Sequence, residues 1–121
     1  MRYMLLIVED PAQRETRSEA QGQAVYQQMV DFGQALAAEG VLLGVESLAS
    51  QRQAARVQVR GGKAQVMDGP FAEAKEMIGG FFLLQNVSRD EAIAFAHQCP
   101  AAQWATVEVR ALAPCFDDSH A

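Results

Sequence analysis

Residues 56–67 read RVQVRGGKAQVM and contain the clearest structural signal in the chain. Apolar and polar side chains alternate on both sides of Gly61-Gly62, a two-residue turn typical of a β-hairpin. With that turn, the three valines of the stretch and Ala64 share one face of the hairpin, and the arginine, lysine and glutamine side chains share the other. Because the alternation agrees on both strands, the sequence predicts the pairing register as well as the hairpin.

Four further strands are predicted on either side of the hairpin. Residues 2–8 are apolar on both faces, which is typical of a central strand buried on both sides. Residues 41–48 form a short apolar segment, and residues 81–87 are again apolar on both faces. Residues 104–112 alternate, with Val107, Val109 and Ala111 on one face and Thr106, Glu108 and Arg110 on the other.

Two helices are predicted over residues 18–39 and 88–98. Each opens with a capping box, in which a serine is followed three residues later by Gln or Glu. Gly40 is a good terminator for the first helix, and the second stops before Pro100. The apolar stripe of the first helix has the spacing of one buried face. Its members are Val25, Met29, Phe32 and Leu36.

The remaining segments are predicted to be connections. Residues 9–17 are polar and contain a proline, so we expect a loop, and residues 68–71 must turn because glycine and proline adjoin. Residues 72–77 suit a short helical turn, which we expect Gly79-Gly80 to break. These boundaries predict a single domain over residues 1–112 and a tail over 113–121.

The resulting order, β-α-β-β-β-β-α-β, predicts an α+β, ferredoxin-like fold: a split βαβ unit with a hairpin inserted in its middle. Both helices should cover one face of a largely antiparallel sheet. The other face would carry Gln58, Glu108 and Arg110 among apolar side chains. A half-apolar sheet face is commonly covered by a second copy of the chain. We therefore expect a homodimer of facing sheets, with a cleft between or beside them.

Composition narrows the possible functions. The chain has 121 residues, half of them apolar and 21% charged, with a net charge of −5. This composition is typical of a globular protein. The negative net charge argues against a nucleic-acid partner, because nucleic-acid binding requires clustered Lys and Arg. No apolar run approaches the roughly 20 residues that cross a bilayer, so no membrane partner is expected. Cys99 and Cys115 have no metal-ligand spacing and suit a reducing cytoplasm. No cofactor or metal motif is present.

Residues 68–84 read DGPFAEAKEMIGGFFLL and closely resemble the DGPF motif of the YCII-related family. The start of the chain and its last strand are similar to the family as well. The resemblance implies a dimeric α/β barrel built from ferredoxin-like subunits. By this resemblance, some relatives of the chain are cofactor-free enzymes that act on small cyclic substrates, including a dehydrochlorinase. Other related modules occur near or fused to extracytoplasmic-function sigma factors.

Two positions depart from the family pattern: Ala74 replaces a threonine, and Trp104 stands where relatives often have glycine. A His–Asp pair is the proposed catalytic group of YCII-like relatives, with the histidine on the first helix. Here that helix has no histidine. The chain's two histidines are His97, which we expect on the surface of the second helix, and His120, in the tail. Of the His–Asp pair, only the aspartate has a counterpart in this chain, and it is Asp68.

Asp68 is the candidate catalytic residue. A carboxylate at a strand end, facing a dimer cleft, can act as general acid or base when burial raises its pKa. The alternative is an aspartate that accepts N–H bonds within its own turn. Lys75 and Glu73 follow in the motif as candidate substrate-binding residues, with Glu76 beside them. Lys75 would bind an anionic group or keep Asp68 ionised; the alternative is a solvated charged turn.

Three residues outside the motif complete the candidate binding set. Arg110 on the open sheet face would hold a carboxylate or phenolate ligand, or else form an ion pair between strands or subunits. Tyr3 and Trp104 would line an aromatic pocket, or else pack in the core or the dimer contact.

Two functions follow from these residues. One is a small-molecule-binding or regulatory dimeric module, which requires only a pocket and a dimer. The other is a cofactor-free acid/base enzyme of isomerase, lyase or dehydrohalogenase type, acting on a small cyclic anionic substrate. In the enzyme, Asp68 would move the proton and Lys75 or Arg110 would hold the anion. The missing histidine favours the binding module.

Overall fold

The computed structural model describes residues 1–117; His120 and the rest of residues 118–121 lie outside the described part of the chain. Its elements, in chain order, are β1 (Tyr3–Glu9), α1 (Ala12–Thr16), α2 (Glu19–Ala38), β2 (Leu42–Ser47), β3 (Ala55–Arg60), β4 (Lys63–Asp68), β5 (Met77–Leu84), α3 (Arg89–Gln98) and β6 (Thr106–Ala111). Short 3-10 turns occupy Gln51–Gln53 and Pro100–Gln103.

The main sheet has four strands in the order β2-β5-β1-β6, and every neighbouring pair is antiparallel. This is the strand order of a split βαβ unit, so the α+β, ferredoxin-like prediction is confirmed. The hydrophobic core lies between one sheet face and the two long helices. Phe32 and Leu36 of α2, with Ala92 of α3, join Leu5 and Phe82 of the sheet in it.

Strand β1 is central, as predicted, but it is not equally buried on its two faces. Tyr3, Leu5 and Ile7 are buried on the helix side. The side chains between them point to the opposite face and are only half-buried in the single chain. That opposite face, which we call the open face, is apolar at its centre. Its apolar members are Met4, Leu6, Val8, Ile78, Phe81 and Leu83.

The hairpin has the predicted register, including the pairs Val59–Ala64 and Arg60–Lys63. It differs from the prediction in forming a two-stranded sheet of its own, so Gln58 does not lie on the main sheet. Every side chain of β3 and β4 is exposed. Val57, Val59 and Val66 of the predicted apolar face are 65%, 60% and 68% exposed, so within the described chain nothing covers that face.

Both predicted capping boxes are present, at Ser18 and Ser88. Each serine hydroxyl accepts from the backbone N–H three residues on, and the Gln or Glu side chain there accepts from the serine N–H. These are local interactions between residues close in sequence, so they were predictable from the order of residues alone. They fix the starts of α2 and α3.

Three local predictions were wrong. Residues 9–17 are not a simple loop: β1 extends to Glu9, and α1 forms where Asp10 Oδ1 accepts from the Ala12 N–H at 2.9 Å. Residues 72–77 make a turn rather than a helix, with the Ala74 N–H donating to the Phe71 carbonyl. Gly79-Gly80 does not break an element, because both glycines lie within β5: Gly80 pairs with Ile7 and Ser47, and Gly79 is the extra residue where the β1–β5 register shifts.

Candidate functional site

A cleft of about 660 Å³ lies between α2 and the helix-facing side of β1, β2 and β5. Apolar side chains form most of its walls. They are Ile7, Val25, Met29, Val30, Leu42, Val45 and Phe82. A volume of this size matches pockets that hold small organic ligands, which are also lined mainly by apolar groups.

The cleft exists because only part of α2 packs on the sheet. The buried residues of the helix are Phe32, Gly33 and Leu36, all in its second half. The first half contributes none, so it stands away from the strands. Gly22 lies in this first half and lines the cleft, and a Cβ added there would meet nothing within 4 Å. The absence of a side chain at that position leaves the space open.

A buried ion pair forms the polar part of the cleft wall. Glu9 is 6% exposed, and Arg14 Nε lies 2.6 Å from its Oε1. The other two guanidinium nitrogens of Arg14 donate to main-chain carbonyls, Nη1 to Leu48 at 2.7 Å and Nη2 to Gly79 at 3.3 Å. Arg14 is therefore held by β2's exit loop and by β5 as well as by the carboxylate.

Positions 79 and 80 of β5 require glycine because neighbouring atoms lie too close for a Cβ. Backbone conformation is not the reason, since neither residue has a positive φ. A Cβ on Gly79 would stand 2.7 Å from Glu9 Oε1 and 3.0 Å from Arg14 Nη2. A Cβ on Gly80 would stand 2.7 Å from the backbone oxygen of Glu46 on β2. The first glycine thus makes room for the buried carboxylate, and the second lets two strands pair.

The α1–α2 junction and the turn before β6 also contribute to the cleft wall. The Arg17 guanidinium lies 5.9 Å from the centre of the Trp104 ring, a cation–π distance. Gln13 Nε2 donates to the Trp104 carbonyl at 2.7 Å, which ties α1 to that turn. Tyr26 lines the cleft and is 58% exposed. A ligand in the cleft would therefore cover aromatic surface that the single chain leaves in water.

Comparison with known proteins addresses the family of the chain. The sequence model of the YCII-related domain matches residues 1–115. The chain belongs to the YCII-related family. An uncharacterised protein of Rhizobium meliloti is 34% identical to this YCII-related chain in an alignment of 115 residues that covers 93% of each protein. The family membership predicted from the sequence is confirmed; the DGPF subgroup stays a prediction.

In this YCII-related protein, Asp68 is the last residue of β4, not a cleft residue. It is exposed, and within residues 1–117 its carboxylate has no hydrogen-bond or ion-pair partner. The next residue, Gly69, donates its N–H to the Ala54 carbonyl at 2.8 Å. A Cβ on Gly69 would overlap the carbonyl oxygen of Gln51, so close packing requires a glycine there.

The other motif residues also lie away from the cleft. Glu73, Lys75 and Glu76 are exposed in the segment that joins β4 to β5, and none of them lines the cleft. Within the described chain Lys75 forms no ion pair with Asp68. On the open face, Arg110 Nη1 lies 3.2 Å from Glu108 Oε2, a pair along one strand rather than between strands.

The predicted aromatic pair is not brought together. Tyr3 pairs with Ala111, at one end of β1, and is buried in the core. Trp104 precedes Thr106, which pairs with Val8 near the opposite end of β1. Trp104 lines the cleft, as a binding residue would, whereas Tyr3 does not.

Glu9 and Arg14 are the polar cleft residues that the sequence analysis missed. A signal for Glu9 was available: the alternation that buries Tyr3, Leu5 and Ile7 puts Glu9 on the same side of β1. A charged residue at a buried position is rarely tolerated without a partner. Nothing local identified Arg14 as that partner, because α1 itself was predicted to be a loop.

The remaining chemical groups lie outside the cleft. Cys99 is a buried free thiol whose pKa is raised by burial, and Cys115 is an exposed one. His97 is exposed on α3, as predicted. Among residues 1–117 no three His, Cys, Asp or Glu side chains are grouped as a metal site would require. None of the helices described there has both the length and the apolar character of a membrane span.

Proposed function

We propose that this protein is a dimeric binding or regulatory module that holds a small, largely apolar molecule in the cleft between α2 and the sheet. One observation carries the proposal: a cleft of about 660 Å³ with mainly apolar walls and a single buried ion pair, Glu9–Arg14. Binding sites in proteins commonly have this composition, in which apolar walls supply affinity and few polar groups supply orientation.

The acid/base enzyme receives less support from the same geometry. Its proposed proton carrier, Asp68, is exposed at the end of the hairpin and does not line the cleft. The candidate anion-binding residues Lys75 and Arg110 are exposed outside the cleft as well. Because a general base must lie within hydrogen-bond reach of the proton it removes, these three residues do not form a reaction site with the cleft in one chain.

A homodimer is the second part of the proposal. The open face presents Leu6, Phe81 and their apolar neighbours, and the hairpin beside it exposes Val57 and Val59 by 65% and 60%. The two surfaces adjoin, because a second cavity of about 600 Å³ is lined by Val8 of the open face and by the base of the hairpin. Isolated two-stranded hairpins are marginally stable in water, so a covering partner would stabilise this one.

Val59→Lys tests the dimer without disturbing the single chain. The side chain is exposed there, so a lysine adds no strain to the monomer, whereas a buried interface would lose an apolar contact and gain a charge. Gln58→Lys, on the opposite face of the same strand, is the matched control. Light scattering should give twice the chain mass for the wild type and the control, and a lower mass for Val59→Lys. A monomeric wild type would contradict the dimer.

The cleft is tested by NMR, because four of the nine glycines line it and their amide signals report on its occupancy. Titration with naphthylmethanol should shift the amides of Gly22, Gly33, Gly79 and Gly80 and leave those of the hairpin turn in place. Gly22→Phe should fill the cleft and abolish the shifts. Ala24→Phe, on an exposed position of α2 that does not line the cleft, is its control. Shifts confined to the open face would contradict the proposal.

The cytoplasm is the compartment that we propose. Cys99 and Cys115 are both free thiols, and a reducing compartment keeps an exposed thiol such as that of Cys115 in this form. Fractionation of the producing cells tests the assignment, since enrichment of the protein outside the cytoplasmic fraction would contradict it.

A further inference from the structure

Glu9 has hydrogen-bond acceptor capacity that none of the residues 1–117 uses. An ionised carboxylate offers about four lone-pair sites on its two oxygens. Within residues 1–117 only Arg14 Nε reaches it, at Oε1, and the rest of the Arg14 guanidinium is engaged by main-chain carbonyls. A buried carboxylate with most of its acceptor sites empty is unfavourable unless a donor arrives from the cleft.

We propose that Glu9 is the head-group anchor of the cleft. Its carboxylate accepts a hydrogen bond from an O–H or N–H group of the ligand, and the ligand's apolar body lies between α2 and the sheet. The ligand class is therefore an apolar molecule that carries a hydroxyl or amino group. This inference rests on the proposed function, since it names the chemistry that the same cleft selects.

The fit of the carboxylate to its surroundings argues that it is built into the site. Glu9 occupies the next position on the buried face of β1 after Ile7, where an apolar side chain would pack against the core. Its carboxylate fits only because position 79 is a glycine. Replacing a buried ion pair by apolar residues is commonly neutral or stabilising. Stability therefore does not account for the charge, whereas recognition of a polar head group does.

The charges around the cleft favour a donor over an anion. Glu19 lines it together with Glu9, and the two arginines there are Arg14 and Arg17. Arg14 is already bound by three acceptors, and Arg17 lies over the Trp104 ring. A carboxylate or phosphate placed beside Glu9 would be repelled by its charge, and the guanidinium next to it, that of Arg14, already has its nitrogens engaged. The lysine and arginine that suggested an anionic ligand from sequence, Lys75 and Arg110, do not line the cleft.

Calorimetric titration with three matched probes tests the anchor. Naphthylmethanol, naphthylmethylamine and naphthoate share one apolar body and differ in the head group. The wild type should bind the alcohol, the amine or both about tenfold more tightly than the carboxylate, a difference of about 1.4 kcal/mol. The stronger of the two donors identifies the head group. In Glu9→Gln that preference should fall about fivefold, because a charge-assisted hydrogen bond becomes a neutral one.

Three results separate the anchor from the cleft itself. If all three probes bind equally and Gly22→Phe blocks them, the cleft is a binding site and the Glu9 anchor is refuted. If naphthoate binds most tightly, the anchor is likewise refuted. If no probe binds, or if Gly22→Phe has no effect, both the anchor and the proposed function fail.

A second variant covers the case in which Glu9→Gln does not fold with Arg14 left unpaired. Glu9→Leu combined with Arg14→Leu removes both charges together and keeps the site apolar. This double variant should bind the naphthyl body and show no preference between the alcohol and naphthoate. If it retains the wild-type preference, the anchor is refuted.

Discussion

Replacing Gly79 by alanine should destabilise the protein by about 2 kcal/mol. The new Cβ would lie 2.7 Å from Glu9 Oε1 and 2.8 Å from its Cδ, so the carboxylate must move. It is 6% exposed and bound to Arg14, which two carbonyls hold in turn, so movement breaks the pair. Breaking a buried ion pair costs about 3–5 kcal/mol. The value here is lower because Arg14 is 29% exposed and alanine is favoured over glycine in a strand by about 0.5–1 kcal/mol.

Urea unfolding at one fixed protein concentration measures this change, because a dimer's apparent stability depends on concentration. With a typical slope, a loss of about 2 kcal/mol lowers the midpoint by about 1 M. Gly22→Ala is the control: with no neighbour within 4 Å it should stabilise α2 by about 0.8 kcal/mol.

A double-mutant cycle locates the cause of that loss. In a Glu9→Ala background the carboxylate is gone, so Gly79→Ala should be tolerated and the coupling free energy should exceed about 1 kcal/mol. Equal losses in both backgrounds, or a Gly79→Ala variant as stable as the wild type, would refute the reasoning.

Four further outcomes are expected. Ser88→Ala removes the N-cap of α3 and should lower the unfolding free energy by about 1 kcal/mol, measured by urea titration. Hydrogen bonds from Ser88 lower the pKa of Glu91. The stabilisation from this carboxylate is therefore present above its unfolded-state pKa and is lost as the pH falls through the lowered folded-state pKa. In Glu91→Gln, the fall in the free energy of unfolding at acid pH should be smaller. Iodoacetamide should label Cys115 in the native protein and Cys99 only after unfolding, as read by mass spectrometry, because burial shields the Cys99 thiol and raises its pKa. Asp68→Asn should leave naphthylmethanol binding within twofold of the wild type, since Asp68 lies outside the cleft; a larger loss by calorimetry would place it in the site.

Much of the fold was predictable because its signals are local. The Gly61-Gly62 turn and the alternation around it determine the hairpin register within a dozen residues. The serine capping boxes likewise join residues three apart. The α+β strand order then follows from the sequence of elements. The short helix α1 was not predicted because its five residues are too few to show a periodic apolar pattern, and its N-cap, Pro11, has no side chain that could cap it.

The candidate site was less predictable, and β5 illustrates the reason. Gly79-Gly80 was interpreted as a break, since glycine adjoining glycine disfavours regular structure locally. In the fold both are strand residues. Position 79 requires a glycine because the carboxylate of Glu9, 70 positions earlier in the chain, occupies the space that a Cβ would need. No window of neighbouring residues contains that contact.

The sequence by itself determined the hairpin, the two capped helices, the α+β order of elements and the family. Those features depend on periodicity and on contacts between residues close in the chain. Only the tertiary structure decided that Asp68 lies outside the cleft, that Tyr3 and Trp104 are apart, and that Glu9 and Arg14 meet in its wall. These outcomes depend on where distant segments cross and how far α2 stands from the sheet. Packing in three dimensions sets those distances.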